Sequence, residues 1–368
     1  AAEAFRRRLP VTHGAGRWLE REGERWLNFS SNDYLGLSQH PAIIAAWQQG
    51  ATRYGVGAGG SGHVSGYSEA HRALEEALAD WLGYPRALLF ISGFAANQAL
   101  IAALVEKDDR IVADRLSHAS LLEAASLSPA QLRRFTHNDP QQLAQLLAKP
   151  LAGEQLAVTE GIFSMDGDVA PLALLAELKK TYPNVMLYVD EAHAVGVRGQ
   201  KGLGIAEEQG CLKDIDFLCG TFGKALASVG AFVVCSQTIR EYLVNRMRTL
   251  IFTTALPPFN IAWTKFVLSR LDTWSERRNR LAKHSLHVRQ AIQESGKSCP
   301  SSSHIIPVVI GESRDTILKA EDMQRKGFYV LPVRPPTVPE GTSRLRISLT
   351  AALTDEETDR LCTALATL

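Results

Sequence analysis

The chain has 368 residues, 45% of them apolar, with 40 lysines and arginines against 39 aspartates and glutamates. That balance gives no general attraction to nucleic acid or to an anionic membrane, so neither is expected as a partner. The basic runs Arg6-Arg7-Arg8 and Arg277-Arg278 with Arg280 read as solvated faces. Five cysteines without a C-x-x-C pair read as reduced, mostly buried thiols of a cytoplasmic protein, and no basic-then-apolar leader opens the sequence.

Residues 1–35 mix basic and aromatic positions and are expected to form an N-terminal arm. After Ser68, the spacing of Ala73, Leu74, Ala77, Leu78, Trp81 and Leu82 predicts an amphipathic helix with Ser68 as its cap. Residues 87–105 carry no charge, but Ser92, Gly93, Asn97 and Gln98 interrupt them, so a strand, a glycine turn and a helix are expected there rather than a membrane span. Strand-like runs at 88–91, 110–113, 156–159, 185–189, 217–218 and 231–235 alternate with helical ones, which implies a mostly parallel sheet with helices on both faces. Beyond Pro257-Pro258 one long helical stretch, 260–294, precedes strands near 305–310, 328–331 and 345–349. The expected fold class is α/β: an arm over 1–35, a large domain over 36–257 and a smaller α+β domain over 258–368.

Two segments carry chemistry. Ile215-Asp216-Phe217-Leu218-Cys219-Gly220-Thr221-Phe222-Gly223-Lys224 ends an apolar run in a glycine-flanked turn with one lysine. A lysine held at the end of a buried strand loses hydration, which favours the neutral amine and makes it a nucleophile for aldehydes. Thr221, in the same loop, can reach a phosphate. Most lysines after a glycine are nevertheless solvated loop residues, so this motif does not decide alone. The second run, Val185-Met186-Leu187-Tyr188-Val189, stops at Asp190-Glu191-Ala192-His193, at the strand end where open α/β sheets bind ligands. An aspartate there can keep a pyridine nitrogen protonated, and a histidine three residues on can reach a ring substituent. Pyridoxal phosphate needs that combination together with a lysine.

Strand-D-E-A-H followed about thirty residues later by T-F-G-K resembles the fold-type I pyridoxal-phosphate enzymes, specifically the α-oxoamine synthases. Ser31-Asn32-Asp33-Tyr34-Leu35-Gly36-Leu37, Gly59-Gly60-Ser61-Gly62-His63-Val64-Ser65-Gly66, Ser117-His118-Ala119-Ser120 and Phe163-Ser164-Met165-Asp166-Gly167 extend the resemblance over nearly the whole chain. It implies a fold type I PLP-dependent transferase with a mostly parallel sheet of the seven-stranded type, a smaller C-terminal domain, and a homodimer with shared active sites. Lys224 would be the Schiff-base lysine, His118 would stack on the pyridine ring and move protons, and Asp190 would face the ring nitrogen. Gly93 and Phe94, at a helix start, would cradle the phosphate of pyridoxal 5'-phosphate. Ser164, His193 and Thr221 would add contacts, with Thr253 and Thr254 reaching the phosphate from the partner subunit.

Arg346, in Ser343-Arg344-Leu345-Arg346-Ile347, resembles the family arginine that holds the amino-acid carboxylate in its planar fork; Arg344 shares its strand face and stays open as the alternative. Arg6, Asn32, Arg334 and Thr337 resemble substrate contacts. The family expectation at 227 is glycine, and the chain has Ala227. Ser117 before His118, with His63-Val64-Ser65-Gly66-Tyr67, resembles the biotin-pathway branch. That branch implies L-alanine and a pimeloyl thioester, carried by coenzyme A or acyl carrier protein, as substrates with CO2 released; glycine- or serine-using sister enzymes are the alternative.

Other readings fare worse. A DEAH helicase needs an upstream G-x-x-x-x-G-K-[ST] loop, which the chain lacks. Asp190 and His193 have no third ligand at a recognisable spacing, and H-E-x-x-H is absent, so no metal is expected. A non-catalytic binding protein on the same fold would not need Lys224, Asp190, His193 and His118 together.

Overall fold

The computed structural model describes residues 6–368, so the first five residues of the expected arm lie outside it. The chain divides into two compact units: a smaller one of residues up to His40, 164–169 and 274–368, and a larger one of residues 41–163 and 170–273. The smaller unit begins with the hairpin of β1 (Trp18–Arg21) and β2 (Glu24–Asn28), whose two-residue connection, Glu22-Gly23, is left-handed at both positions with φ of 53° and 78°. Such turns match the twist of paired strands.

The larger unit starts with α1 (Pro41–Tyr54) and α2 (Glu69–Leu82). Ser68 caps α2 as expected: its hydroxyl accepts from His71 N while the His71 ring accepts from Ser68 N. Leu74, Leu78 and Leu82 repeat every fourth residue and are buried. Strands and helices then alternate: β3 (Arg86–Phe90), α3 (Gly93–Leu104), β4 (Arg110–Asp114), α4 (Ala119–Leu127), β5 (Gln131–Phe135), α5 (Pro140–Leu147), β6 (Gln155–Glu160), α6 (Leu172–Thr181), β7 (Val185–Asp190), α7 (Ile205–Glu208), β8 (Phe217–Thr221) and β9 (Ala231–Cys235). The seven strands form one sheet in the order β3-β9-β8-β7-β6-β4-β5, parallel throughout except for β9, which runs antiparallel to both neighbours. Its core is a cluster that includes Leu88, Leu100, Ile111, Val158, Tyr188, Phe217 and Val233. No strand was expected at β5, because Gln131-Leu132-Arg133-Arg134-Phe135 is polar. The structure makes it the sheet edge, where charge is tolerated and blocks further pairing.

The larger unit closes with α8 (Gln237–Arg246), α9 (Arg248–Phe252) and α10 (Pro258–Arg270). The single helix expected over 260–294 is two, α10 and α11 (Ser275–Glu294), parted by a 3-10 turn at Leu271–Trp274. There the Asp272 carboxylate accepts from Thr273 N at 2.9 Å and the Thr273 hydroxyl donates to Arg270 O at 2.6 Å, local bonds that compete with helix continuation. The rest of the smaller unit is β10 (Ile305–Gly311), α12 (Ser313–Arg325), β11 (Phe328–Tyr329), β12 (Leu331–Val333), β13 (Ser343–Ser348) and α13 (Asp355–Ala366). The expected strand at 328–331 is two strands in different sheets: β11 extends β1-β2, and β12 joins β10-β13. Among the described residues, no helix is long and apolar enough to cross a membrane.

Candidate active site

Parallel strands leave their carboxyl ends at one edge of the sheet, and the larger unit gathers its polar groups there. Asp190 ends β7, 8% exposed. Its Oδ2 accepts from Asn97 Nδ2 and its Oδ1 from Ala192 N, each at 2.9 Å. The Tyr188 hydroxyl donates to Asn97 Oδ1 at 2.6 Å and so turns the amide N–H2 toward Asp190. The carboxylate is held by two donors and aimed before any ligand arrives. His193, within the turn that follows, is also buried.

His118 caps α4, and its Nδ1 accepts from Ser120 N at 3.1 Å. An acceptor at Nδ1 places the proton of the neutral ring on Nε2. Burial, helped by the charge of Lys224 and opposed by Asp190, pulls the His118 pKa below its usual value of 6.5. His118, Asp190 and Lys224 therefore lie within electrostatic reach of one another. Lys224 is half-buried on the loop after β8. That loop is pinned at its base: Phe222 N donates to Gly230 O at 2.8 Å, and Ser228 N to Phe222 O at 2.7 Å. The Thr221 hydroxyl takes part as well, donating to Gly230 O at 3.1 Å and accepting from Gly223 N at 3.2 Å. Ala227, where glycine was expected, adopts φ 51°, the left-handed conformation that glycine favours.

Gly93 opens α3, with Ser92 as its cap. The Ser92 hydroxyl accepts from Ala95 N and its carbonyl from Ala96 N, which leaves the Gly93 and Phe94 N–H groups without a protein acceptor among the described residues. Nothing stands within 4 Å of where a Gly93 side chain would project. Two free N–H groups, a helix dipole and open space suit a phosphate. Thr253 and Thr254 follow α9 and line a cavity of about 270 Å³ with Tyr67, Glu75, Ala95 and Leu256. Burial in that apolar surrounding raises the Glu75 pKa to about 7, although the Tyr67 hydroxyl donates to its carboxylate at 2.5 Å.

Glu191, the second letter of the D-E-A-H run, has a structural task. Fully buried, it accepts from Ile205 N at 3.1 Å and Ala206 N at 3.0 Å, and a side chain at Gly161 or Gly204 would collide with its carboxylate. Burial raises its pKa to about 7.

The smaller unit holds the other expected residues. Arg346 Nε donates to Ser164 O at 2.6 Å and Nη1 to Ser348 Oγ at 3.0 Å, both uncharged acceptors. Arg344 is instead ion-paired with Asp166 and bonded to Thr342 O. The fork whose charge the named acceptors leave unneutralised is that of Arg346. Arg6 Nη2 donates to Thr337 Oγ1 at 2.6 Å, so these two expected substrate contacts meet, and Thr337 N bonds Arg334 O. Asn32 is exposed, with Oδ1 accepting from Tyr34 at 3.2 Å. Sequence reasoning overlooked Asn97 and Glu160. The latter is a buried carboxyl ending β6 that accepts from His118 N; its only signal was a charged residue closing an apolar run.

The donor set suits a planar cation-forming heterocycle that bears a phosphate, and the comparisons agree. The family model for aminotransferase class I and II matches residues 24–365, and the chain belongs to that family. The 8-amino-7-oxononanoate synthase of Klebsiella pneumoniae subsp. pneumoniae is 65% identical over 98% of this chain and 94% of its own length. Among solved structures, the serine palmitoyltransferase of Sphingomonas wittichii superposes with a TM-score of 0.92 at 31% identity, over 97% of this chain and 91% of its own. A high-resolution structure of SPT with PLP internal aldimine gives the same TM-score at 30% identity, over 97% and 92%. The fold-type I, seven-stranded expectation is met.

Proposed function

We propose that this enzyme joins L-alanine to a pimeloyl thioester with loss of CO2, giving 8-amino-7-oxononanoate for biotin biosynthesis, with pyridoxal 5'-phosphate as cofactor. The observation that carries the reading is the convergence of Lys224, His118 and Asp190 at the carboxyl edge of the sheet, in a chain 65% identical to a synthase of that name. When bound, the cofactor supplies an electron sink for the charge that develops at the amino acid's α-carbon. Lys224 Nζ would hold the cofactor and, as a free amine, would take the proton from the amino acid's α-carbon. Asp190, aimed by Asn97 and Ala192 N, keeps the ring nitrogen protonated. His118 offers a proton at Nε2. The N–H groups of Gly93 and Phe94 bind the phosphate, with Thr253 and Thr254 reaching it from the partner subunit, and Ser164, His193 and Thr221 complete the setting. Arg346 grips the alanine carboxylate until it leaves, while Arg6, Asn32, Arg334 and Thr337 contact the acyl substrate, delivered by coenzyme A or acyl carrier protein.

The working form is a homodimer with shared active sites. The segments that meet at the Ser61–Thr254 bridge carry Val64 and Phe252, 83% and 70% exposed, an apolar surface that one chain leaves in water. Sedimentation of a fully active monomer would overturn this.

Release of CO2 from carboxyl-labelled L-alanine, glycine and serine, each with pimeloyl thioester, tests the substrate. Alanine should dominate; preference for serine or glycine would move the chain to a sister activity of the serine palmitoyltransferase kind. Lys224→Ala should abolish turnover with the circular dichroism spectrum unchanged, and product formation by that variant would refute the mechanism.

A further inference from the structure

Three neighbouring parallel strands, β4, β6 and β7, end in Asp114, Glu160 and Asp190, which are 0%, 3% and 8% exposed. Strand register sets Glu160 directly beside Asp190. Three carboxyl groups cannot all stay ionised in one water-poor region unless each is compensated. Asp114 accepts from Leu116 N, Asn138 N and His137 Nδ1, each at 2.8 Å. Asp190 has its two donors. Glu160 has one N–H among the described residues, that of His118, 2.9 Å from Oε2. It is the least compensated of the three. Burial, then the charge of Asp190, push its carboxyl well above the usual range; Asp114 adds to the rise, while the His118 N–H and Lys224 oppose it.

We propose that Glu160 is a positioning residue that works as an uncharged carboxylic acid: it grips the backbone N–H opening α4, so aims the His118 imidazole, and leaves Asp190 as the anionic carboxyl at the ring nitrogen. The assignment rests on the roles given above to His118 and Asp190. The contact is to backbone at the cap itself, where His118 has φ −51° and ψ 146° and its ring folds back onto Ser120. Displacing that N–H displaces the ring. A carboxylic acid and a primary amide both present a carbonyl oxygen to an N–H donor, so an amide should replace the acid, whereas a methyl group cannot.

The test compares Glu160→Ala with Glu160→Gln. In the cofactor-free protein, NMR follows titration of the His118 ring; in the holoenzyme, kcat and KM for alanine are measured. Glu160→Ala should lower kcat by roughly tenfold or more with KM for alanine changed less than about threefold. It should also move the His118 titration midpoint by more than about 0.5 pH unit. Glu160→Gln should restore both quantities to within about twofold and about 0.2 unit of the parent. Damage by glutamine equal to that by alanine would show that the negative charge is needed and overturn the proposal, as would an alanine variant that changes neither readout. Should Glu160→Ala fail to fold, a folded but impaired Glu160→Gln still overturns it, and an intact one with an unmoved His118 titration supports it. The NMR titration needs no turnover, so a wild-type protein inactive with alanine sinks the substrate assignment and leaves this test standing.

Discussion

Two arginines two positions apart on β13 meet different partners. Arg344, 7% exposed, neutralises Asp166; Arg346 meets only uncharged acceptors among its named bonds. Geometry thus separates what strand periodicity left open. Losing a two-pronged, charge-assisted contact costs about 1.5–3 kcal/mol, so Arg346→Lys should raise KM for alanine by roughly ten- to a hundredfold with unfolding unchanged. Arg344→Ala should act the other way, because it strands a carboxylate that has lost its cation: the denaturation midpoint falls more than KM rises. Steady-state kinetics paired with urea denaturation on both variants checks this, and a larger KM effect at Arg344 would reverse the assignment.

At the scale of elements, the lysine loop stores a small strain. A β-carbon on left-handed backbone costs about 1–2 kcal/mol, against about 0.5–1 kcal/mol of extra chain entropy that glycine loses on folding. Ala227→Gly should therefore stabilise the protein slightly, by at most about 1.5 kcal/mol, as read from the denaturation midpoint. A clear loss of stability would mean that the methyl group is packed rather than strained. The loop was legible in sequence because an apolar run, two glycines and a lysine are contiguous, and the starts of α2 and α3 were legible because their signals are local. Asn97 and Glu160 were not, since their partners lie 93 and 42 residues away and only the parallel register brings them together. The break between α10 and α11 escaped for a different reason: Asp272 and Thr273 fit a charged helix surface as well as they fit a turn.

For the whole molecule, two buried carboxyls set a pH dependence. Burial pushes the Glu75 and Glu191 carboxyls up to about 7 in the folded protein, against an ordinary value of 4.5. A folded pKa above the unfolded one gives stability that is complete below about 4.5 and is lost as pH rises through 7, up to about 3 kcal/mol per group. Unfolding free energy from these groups should thus decline between about pH 5 and 8, and Glu75→Gln should flatten the decline; an unaltered slope would contradict it. The pairing of β2 with β11 has a different consequence, in the order of synthesis. The strands of the seven-stranded sheet are all made once Cys235 is added, but Leu27 and Asn28 wait for Phe328 and Tyr329. At about 5–20 residues per second, translation leaves the N-terminal hairpin without its third strand for roughly 15–60 s. On the ribosome this hairpin is thus made well before the strand that locks it, and in that interval it is open to proteases and to chaperones.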